Sequence, residues 1–517
     1  MKRVLAVISL IVSLIILVVP LLSVAHSNIR TTPRFTTISG VELPDTLLEL
    51  TNTNRANTFP PATPNFIETL NNYLTPNLTA ETDAQIAYRI NRYRQSSIPA
   101  PHALTQNELI SEIHFLFDLL RYGYAAYQYF GGDDIFIPLK EAMIAQLGLM
   151  NDPILAADYL HEILLPILRG VIQDNHFWVS GHSIGVRSQL FMNRDLIIRQ
   201  IDSKYLVEID GAIYEVLEIR NGAGELIDGM LPTLTADGEF ALAFGYVYYG
   251  ISPGTDVTPF EITVLLENAY GYRTLTGVLP PVSDSIVCYG NVYSINVHNG
   301  VAVLENRRLH HRARVGGIQF DPQLSRFPIT GRMLRNEPVL ILDLRGHAGG
   351  NDGYAYDWIR RYTGQRLNRG NYNLMFTHVR LNSATTNALQ PWISSSSPPS
   401  WDIWESDIAP VLISNEHLLI VLTDNSIGSA GDVFVGLLRQ LDNVLIVGTN
   451  TRGVLVTGNL GQAILPRSRI EINFGVSLNI RPDFSQFEGV GFMPDLWVPP
   501  DESLERVLRL IERYKFE

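Results

Sequence analysis

Cysteine is almost missing from this chain of 517 residues: Cys288 stands alone. One thiol cannot form an intrachain disulfide or build a thiolate metal cluster. Lysine is nearly as scarce. Lys2, Lys140, Lys204 and Lys515 are the only ones, and the remaining basic residues are arginines. There is no run of Lys or Arg and the formal net charge is −13, which argues against a nucleic-acid binder. With 46% hydrophobic and 18% charged residues, the composition excludes a mainly disordered chain. The zinc-protease helix is missing too, since His161-Glu162 lacks a second histidine at helical spacing. No cofactor is expected. The chain is too long for one ordinary core, so two or three domains are expected.

One apolar run is long enough to concern a membrane. Lys2-Arg3 precede the uncharged residues 4–22, and Ser23-Val24-Ala25 put small residues at the two positions a signal peptidase reads. Residues 1–25 are expected to be a signal peptide or signal anchor, with Pro20 favouring cleavage. Membrane attachment is expected only through residues 4–22. The body of the protein then lies outside the cytoplasm, whether extracellular, periplasmic or anchored facing outward. The want of disulfides fits a bacterial-type cell envelope.

Residues 26–104, rich in Thr, Asn and Pro, read as a tether with one or two short helices. Residues 105–184 read as a helical domain. It opens on a capping box, Thr105 to Glu108, ahead of Leu109, Ile113, Leu116 and Leu120 at helical spacing. A second helix is expected from Asp152-Pro153, with Asp152 as cap, to about Val171, before Asp174-Asn175-His176. Residues 185–283 alternate in short stretches broken by Gly/Asp turns and read as a small β-rich domain. Residues 284–517 read as α/β, with buried-strand runs such as Val339–Leu342, Leu418–Leu422 and Val444–Val447 between helices. The serines and prolines from Ser394 to Ser400 suggest a surface loop.

In α/β sheets chemistry gathers where strands end and helices begin. Two junctions stand out. Val339–Asp343 feeds the glycine-rich turn Arg345-Gly346-His347-Ala348-Gly349-Gly350, where backbone N–H groups can approach a ligand oxygen. Leu418–Thr423 feeds Asp424-Asn425-Ser426-Ile427-Gly428-Ser429-Ala430-Gly431-Asp432, which puts Ser429 at a helix N-terminus. The plainer reading of each is a tight turn and an N-cap, with Asp432 completing the first helical turn.

Together the two junctions resemble the C-terminal-processing (tail-specific) serine proteases. So do Gly448-Thr449-Asn450-Thr451-Arg452-Gly453 and Phe487-Glu488-Gly489-Val490-Gly491-Phe492-Met493-Pro494-Asp495. The resemblance is close over residues 284–500 and loose over 105–180. It implies an α/β fold with a ClpP/crotonase-like ββα core, Ser429 as nucleophile on a polypeptide substrate, and an oxyanion hole from Ala430 and the Gly349-Gly350 turn. It also implies that the β-rich domain stands where relatives carry a PDZ-like module, although no carboxylate-binding loop is evident there.

The chain departs from that pattern at the base. Most members activate serine with a lysine 25 residues after the nucleophile; here that residue is Val454, and no lysine lies between Lys204 and Lys515. A serine hydroxyl still needs a base, and histidine oriented by a carboxylate is the natural substitute. The tricorn-like branch, with the chlamydial protease-like activity factor, uses Ser-His-Glu, with the histidine in an Asp-x-His element. This chain offers Asp174-Asn175-His176, and Glu488 at 59 residues after Ser429. The resemblance thus assigns Ser429 as nucleophile, His176 as general base and then acid, and Glu488 as the group holding the imidazole. His347 and His182 compete with His176, and Asp343 is expected to pack with Arg345. Two other functions stay open on the same core. One is a non-proteolytic carrier like the retinoid-binding modules, marked by a Ser429–His176 separation beyond bonding reach. The other is crotonase-type acyl-CoA chemistry, which the secretory signal disfavours.

Overall fold

The computed structural model describes residues 45–58, 61–73, 100–283, 291–314, 317–367, 372–375, 379–381, 391–393, 400–402, 412–485 and 487–515. The apolar run 4–22, Cys288 and residues 394–399 of the serine-rich stretch lie outside them. Among the described residues no helix is long and apolar enough to cross a membrane.

The α/β part is built on a six-stranded sheet in the order Tyr293–His298, Val301–Asn306, Val339–Asp343, Leu418–Thr423, Val444–Gly448, Leu496–Trp497. The first pair is antiparallel and every later pair parallel. Its central strands are buried at every position and apolar up to their last residues, Asp343, Thr423 and Gly448, because both faces are covered. Leu340, Leu342, Leu419, Val421 and Ile446 pack on one side with Phe327, Trp358 and Phe434, from helices Pro322–Leu334, Gly353–Thr363 and Ala430–Leu438. Ile341, Ile420, Leu445 and Val447 pack on the other with Val507 and Leu510 of helix Ser503–Tyr514. All the strand-to-helix junctions therefore open on one edge of the sheet.

Residues 187–279 form a seven-stranded, wholly antiparallel sheet. No helix occurs among its described residues. Its Leu234 reaches into the core beneath helix Ser503–Tyr514.

The helix Gln106–Gly123 starts on the expected capping box. The next one begins later than its sequence suggests. Ile154–Leu155 pair with Ala103–Leu104 as a short ladder, so helix starts only at Ala156, and Asp152 accepts from the Gln106 N–H instead of capping its own segment. Pro166 has no N–H to return to Glu162, and that free carbonyl takes the Gln146 side chain. Residues 104–184 share one core with strands Thr457–Ile464 and Glu471–Ile480: Leu116, Phe136, Ile163 and Phe177 pack with Ile472, Phe474 and Leu478. Trp178–Val179 also joins Glu471–Ile480 as a strand. This shared core carries the segment with His176 across to the Ser429 junction. Within the tether, helix Asp45–Thr58 docks through Arg55, which donates to the carbonyls of Arg439 and Leu441 just past helix Ala430–Leu438.

Candidate active site

Ser429 follows the central strand and precedes helix Ala430–Leu438, with φ 56° and ψ −120°. A non-glycine residue persists in that region only where its surroundings over-determine it. Its side chain makes no capping bond to the helix, so the N-cap reading fails. Instead, Ser429 Oγ lies 2.9 Å from His176 Nε2. This is hydrogen-bond reach, the geometry a nucleophile and its base require. Ser429 is partly exposed and His176 is buried.

The loop bearing His176 is fixed by two buried carboxyl groups. Asp174 accepts from the His176 N–H (2.8 Å), the Tyr124 hydroxyl (2.8 Å) and the Thr457 hydroxyl (2.8 Å). Glu488 accepts from the N–H groups of Asn175 (2.6 Å), Leu455 (2.8 Å) and Val456 (2.7 Å). These three bonds correct one expectation. Glu488 stands at the site but does not hold the imidazole, because backbone donors from two loops occupy its oxygens. His176 Nδ1 is buried and meets no carboxylate; the group beside the ring is the Thr457 backbone, outside ideal hydrogen-bond geometry. Glu488 pins the loop through Asn175, the residue before His176.

Burial lowers the His176 pKa below its ordinary value, against the pull of the Asp174 charge, so the ring is neutral and able to accept a proton at neutral pH. Burial also raises both carboxyls, and the charge of Asp174 helps push Glu488 up to about 8. Burial and the Asp174 charge thus both oppose ionisation of Glu488 beside His176.

The glycine turn is arranged differently from its sequence reading. Gly349, at φ 82°, directs its N–H inward to His347 Nδ1 (3.0 Å), so that amide is committed and unavailable to an oxyanion. A Cβ at Gly349 would lie 3.1 Å from Ser429 Cβ, so the turn presses directly on Ser429. Gly350 is exposed, and the N–H groups of Gly350 and Ala430 have no acceptor among the described residues. His347 is buried, makes no bond to Ser429, and burial drives its pKa down to about 3. It serves as a neutral support for the turn. His182 is exposed and packs edge-on to His161, away from this cluster.

Val454, at the family's lysine position, points its side chain at Gly428. Its N–H and that of Gly453 donate to Asp432 (2.9 and 3.0 Å). Asp432, buried and with its pKa raised to about 6 by that burial, thereby ties helix Ala430–Leu438 to the 452–454 loop. Reading the sequence understated this residue, although its place three after Ser429 is a capping-box spacing that could have drawn attention to it. Tyr124 and Thr457 carry no local signal. Asp343 pairs with Arg345 and Arg307, which outweigh burial and hold it near about 2. Among the described residues no group of His, Cys, Asp or Glu is placed to hold a metal ion.

Residues 330–498 match the model of peptidase family S41. That match, confined to the α/β domain, supports a C-terminal-processing peptidase with serine-type peptidase activity. No curated protein matches the chain in sequence. Among solved structures, mature CPAF is 15% identical with a TM-score of 0.41, over 79% of this chain and 96% of that one. A putative peptidase from Parabacteroides merdae is 14% identical (TM-score 0.36, 79% and 96% covered). The photosystem II D1 C-terminal processing protease is 15% identical (TM-score 0.31, 78% and 97% covered).

Proposed function

We propose that this chain is an exported serine endopeptidase of the tricorn-like branch that hydrolyses polypeptide through an acyl-enzyme. The 2.9 Å approach of Ser429 Oγ to His176 Nε2 carries this reading. His176 takes the hydroxyl proton as Oγ attacks the scissile carbonyl carbon. The oxygen that becomes negative is met by the Gly350 and Ala430 N–H groups. The imidazolium then gives its proton to the departing amine, and water repeats the sequence on the ester. Asp174 stabilises the imidazolium by its charge, and Glu488 holds the 174–176 loop against the 455–456 loop. Export rests on residues 1–25.

A fluorophosphonate reacts with an activated serine and not with an ordinary hydroxyl. It should label the wild-type protein once per chain, and peptide mass spectrometry should map the adduct to Ser429. No labelling, or an adduct on another serine, overturns the assignment.

The pH dependence follows from the direction of the His176 shift. The base must be neutral, so kcat/KM rises with pH through the His176 pKa, placing the acid limb below about 6.5. Removing the adjacent charge disfavours the imidazolium further. Asp174→Asn should therefore move the acid limb to still lower pH and lower kcat about 10–100-fold, since the same charge stabilises the transition state. A limb that moves to higher pH would show that Asp174 does not act on His176 electrostatically.

A further inference from the structure

Arg452 stands apart among the charged groups around Ser429 and His176. It is partly buried, and among the described residues its guanidinium has no hydrogen bond and no ion pair within 4.0 Å. The two carboxyls whose charges act on it are otherwise engaged: Asp432 is taken by the Gly453 and Val454 N–H groups, and Glu488 by three backbone donors. The other cation acting in the same region is Arg187, and the Arg452 charge in turn acts on the neutral ring of His176. Arg187, whose guanidinium donates to Gln189, lies two residues past Gly185, and Gly185 packs on Asn175, the neighbour of His176.

The backbone around Arg452 is clamped on every side. Its own N–H donates to Ile427 O at 2.8 Å, two residues before the nucleophile. The next residue, Gly453, accepts from the Gly489 N–H at 2.8 Å and sits at φ 71°, where a Cβ would lie 2.4 Å from Phe487 O. Arg452 is therefore carried on a rigid loop wedged between the segments bearing Ser429 and Glu488.

A guanidinium withdrawn from water without a partner is costly, and a second arginine nearby adds repulsion. A bound anion relieves both. The planar fork of arginine fits a carboxylate with two parallel hydrogen bonds. We infer that Arg452 is a specificity residue that binds a carboxylate of the polypeptide substrate beside the scissile bond. This rests on the serine-peptidase reading above, and it goes further by naming the chemistry the cleft selects. A polypeptide offers that carboxylate from an Asp or Glu side chain or from its free C-terminus.

The test uses the full chain with internally quenched peptides. One set scans a single Glu against Gln through the positions flanking the cleaved bond, and another compares a free C-terminus with its amide. Wild type should prefer the carboxylate-bearing partner of one pair about 10–100-fold in kcat/KM, mainly through KM, as expected for a desolvated charge pair. A preference in the Glu scan assigns a side chain, and one confined to the amide pair assigns the terminus. Arg452→Gln should collapse the preference, and Arg452→Glu should turn it toward a Lys-bearing peptide, a gain that a misfolded variant cannot show. Arg452→Lys should retain part of it. The inference falls if wild type cleaves the peptides without any carboxylate preference, or if Arg452→Gln leaves the preference intact. Failure of wild type to cleave any peptide or to take the fluorophosphonate strikes the serine-peptidase reading itself.

Discussion

Ser429→Ala should reduce peptide hydrolysis by about 10⁶-fold, to the residue of rate that binding and an oxyanion hole supply without a nucleophile. The fold should survive the change. The Ser429 side chain makes no capping bond, and helix Ala430–Leu438 is held by Phe434, Leu437 and Leu438 in the core and by Asp432 at its start. Alanine keeps the Cβ that already lives at φ 56° and loses only the oxygen 2.9 Å from His176. Steady-state turnover of a quenched peptide, with the melting temperature alongside, checks this. Retained turnover with an unchanged melting temperature would remove Ser429 from the chemistry.

His176→Ala should cost about 10²–10⁴-fold in kcat, the ordinary contribution of a positioned general base. His347→Ala is the decisive contrast, since both histidines lie buried near the nucleophile. His347 has its Nδ1 taken by the Gly349 N–H and makes no bond to Ser429. Its loss removes the acceptor that turns Gly349 inward. It should therefore lower stability by about 1–3 kcal/mol through the unsatisfied amide, and act on rate only through the turn. If His347→Ala matched the loss in rate while His176→Ala did not, the base would have been misassigned. Imidazole added to His176→Ala offers a further check, because a small base can enter where the ring stood.

The parts of the site that were legible in the sequence are those with local causes. A buried strand running into small residues and then a helix identifies Ser429 and Ala430, and doubled glycines identify the turn at 349–350, because the backbone there must bend tightly against another chain segment. The capping box at Thr105 was legible for the same reason, since its partners are three residues apart. The helix expected from Asp152 failed at its start because a ladder with Ala103–Leu104, invisible in local spacing, claimed Ile154–Leu155. The orienting role read for Glu488 failed in a similar way. Its position was found by spacing, but its partners lie 313, 33 and 32 residues away. No local pattern announces which N–H groups such loops turn toward a carboxylate.

By itself the sequence determined the chemistry that is available. With no lysine between Lys204 and Lys515, a nucleophilic serine in this domain has to find its base elsewhere, and the histidines were the candidates. Tertiary structure decided which histidine faces the serine, which carboxyl holds the loop, and which glycine amide is left without an acceptor. Composition fixes which groups can carry a proton. The direction in which an N–H or a ring nitrogen points is set by the torsions of loops closed through distant contacts, such as the 253 residues that separate His176 from Ser429.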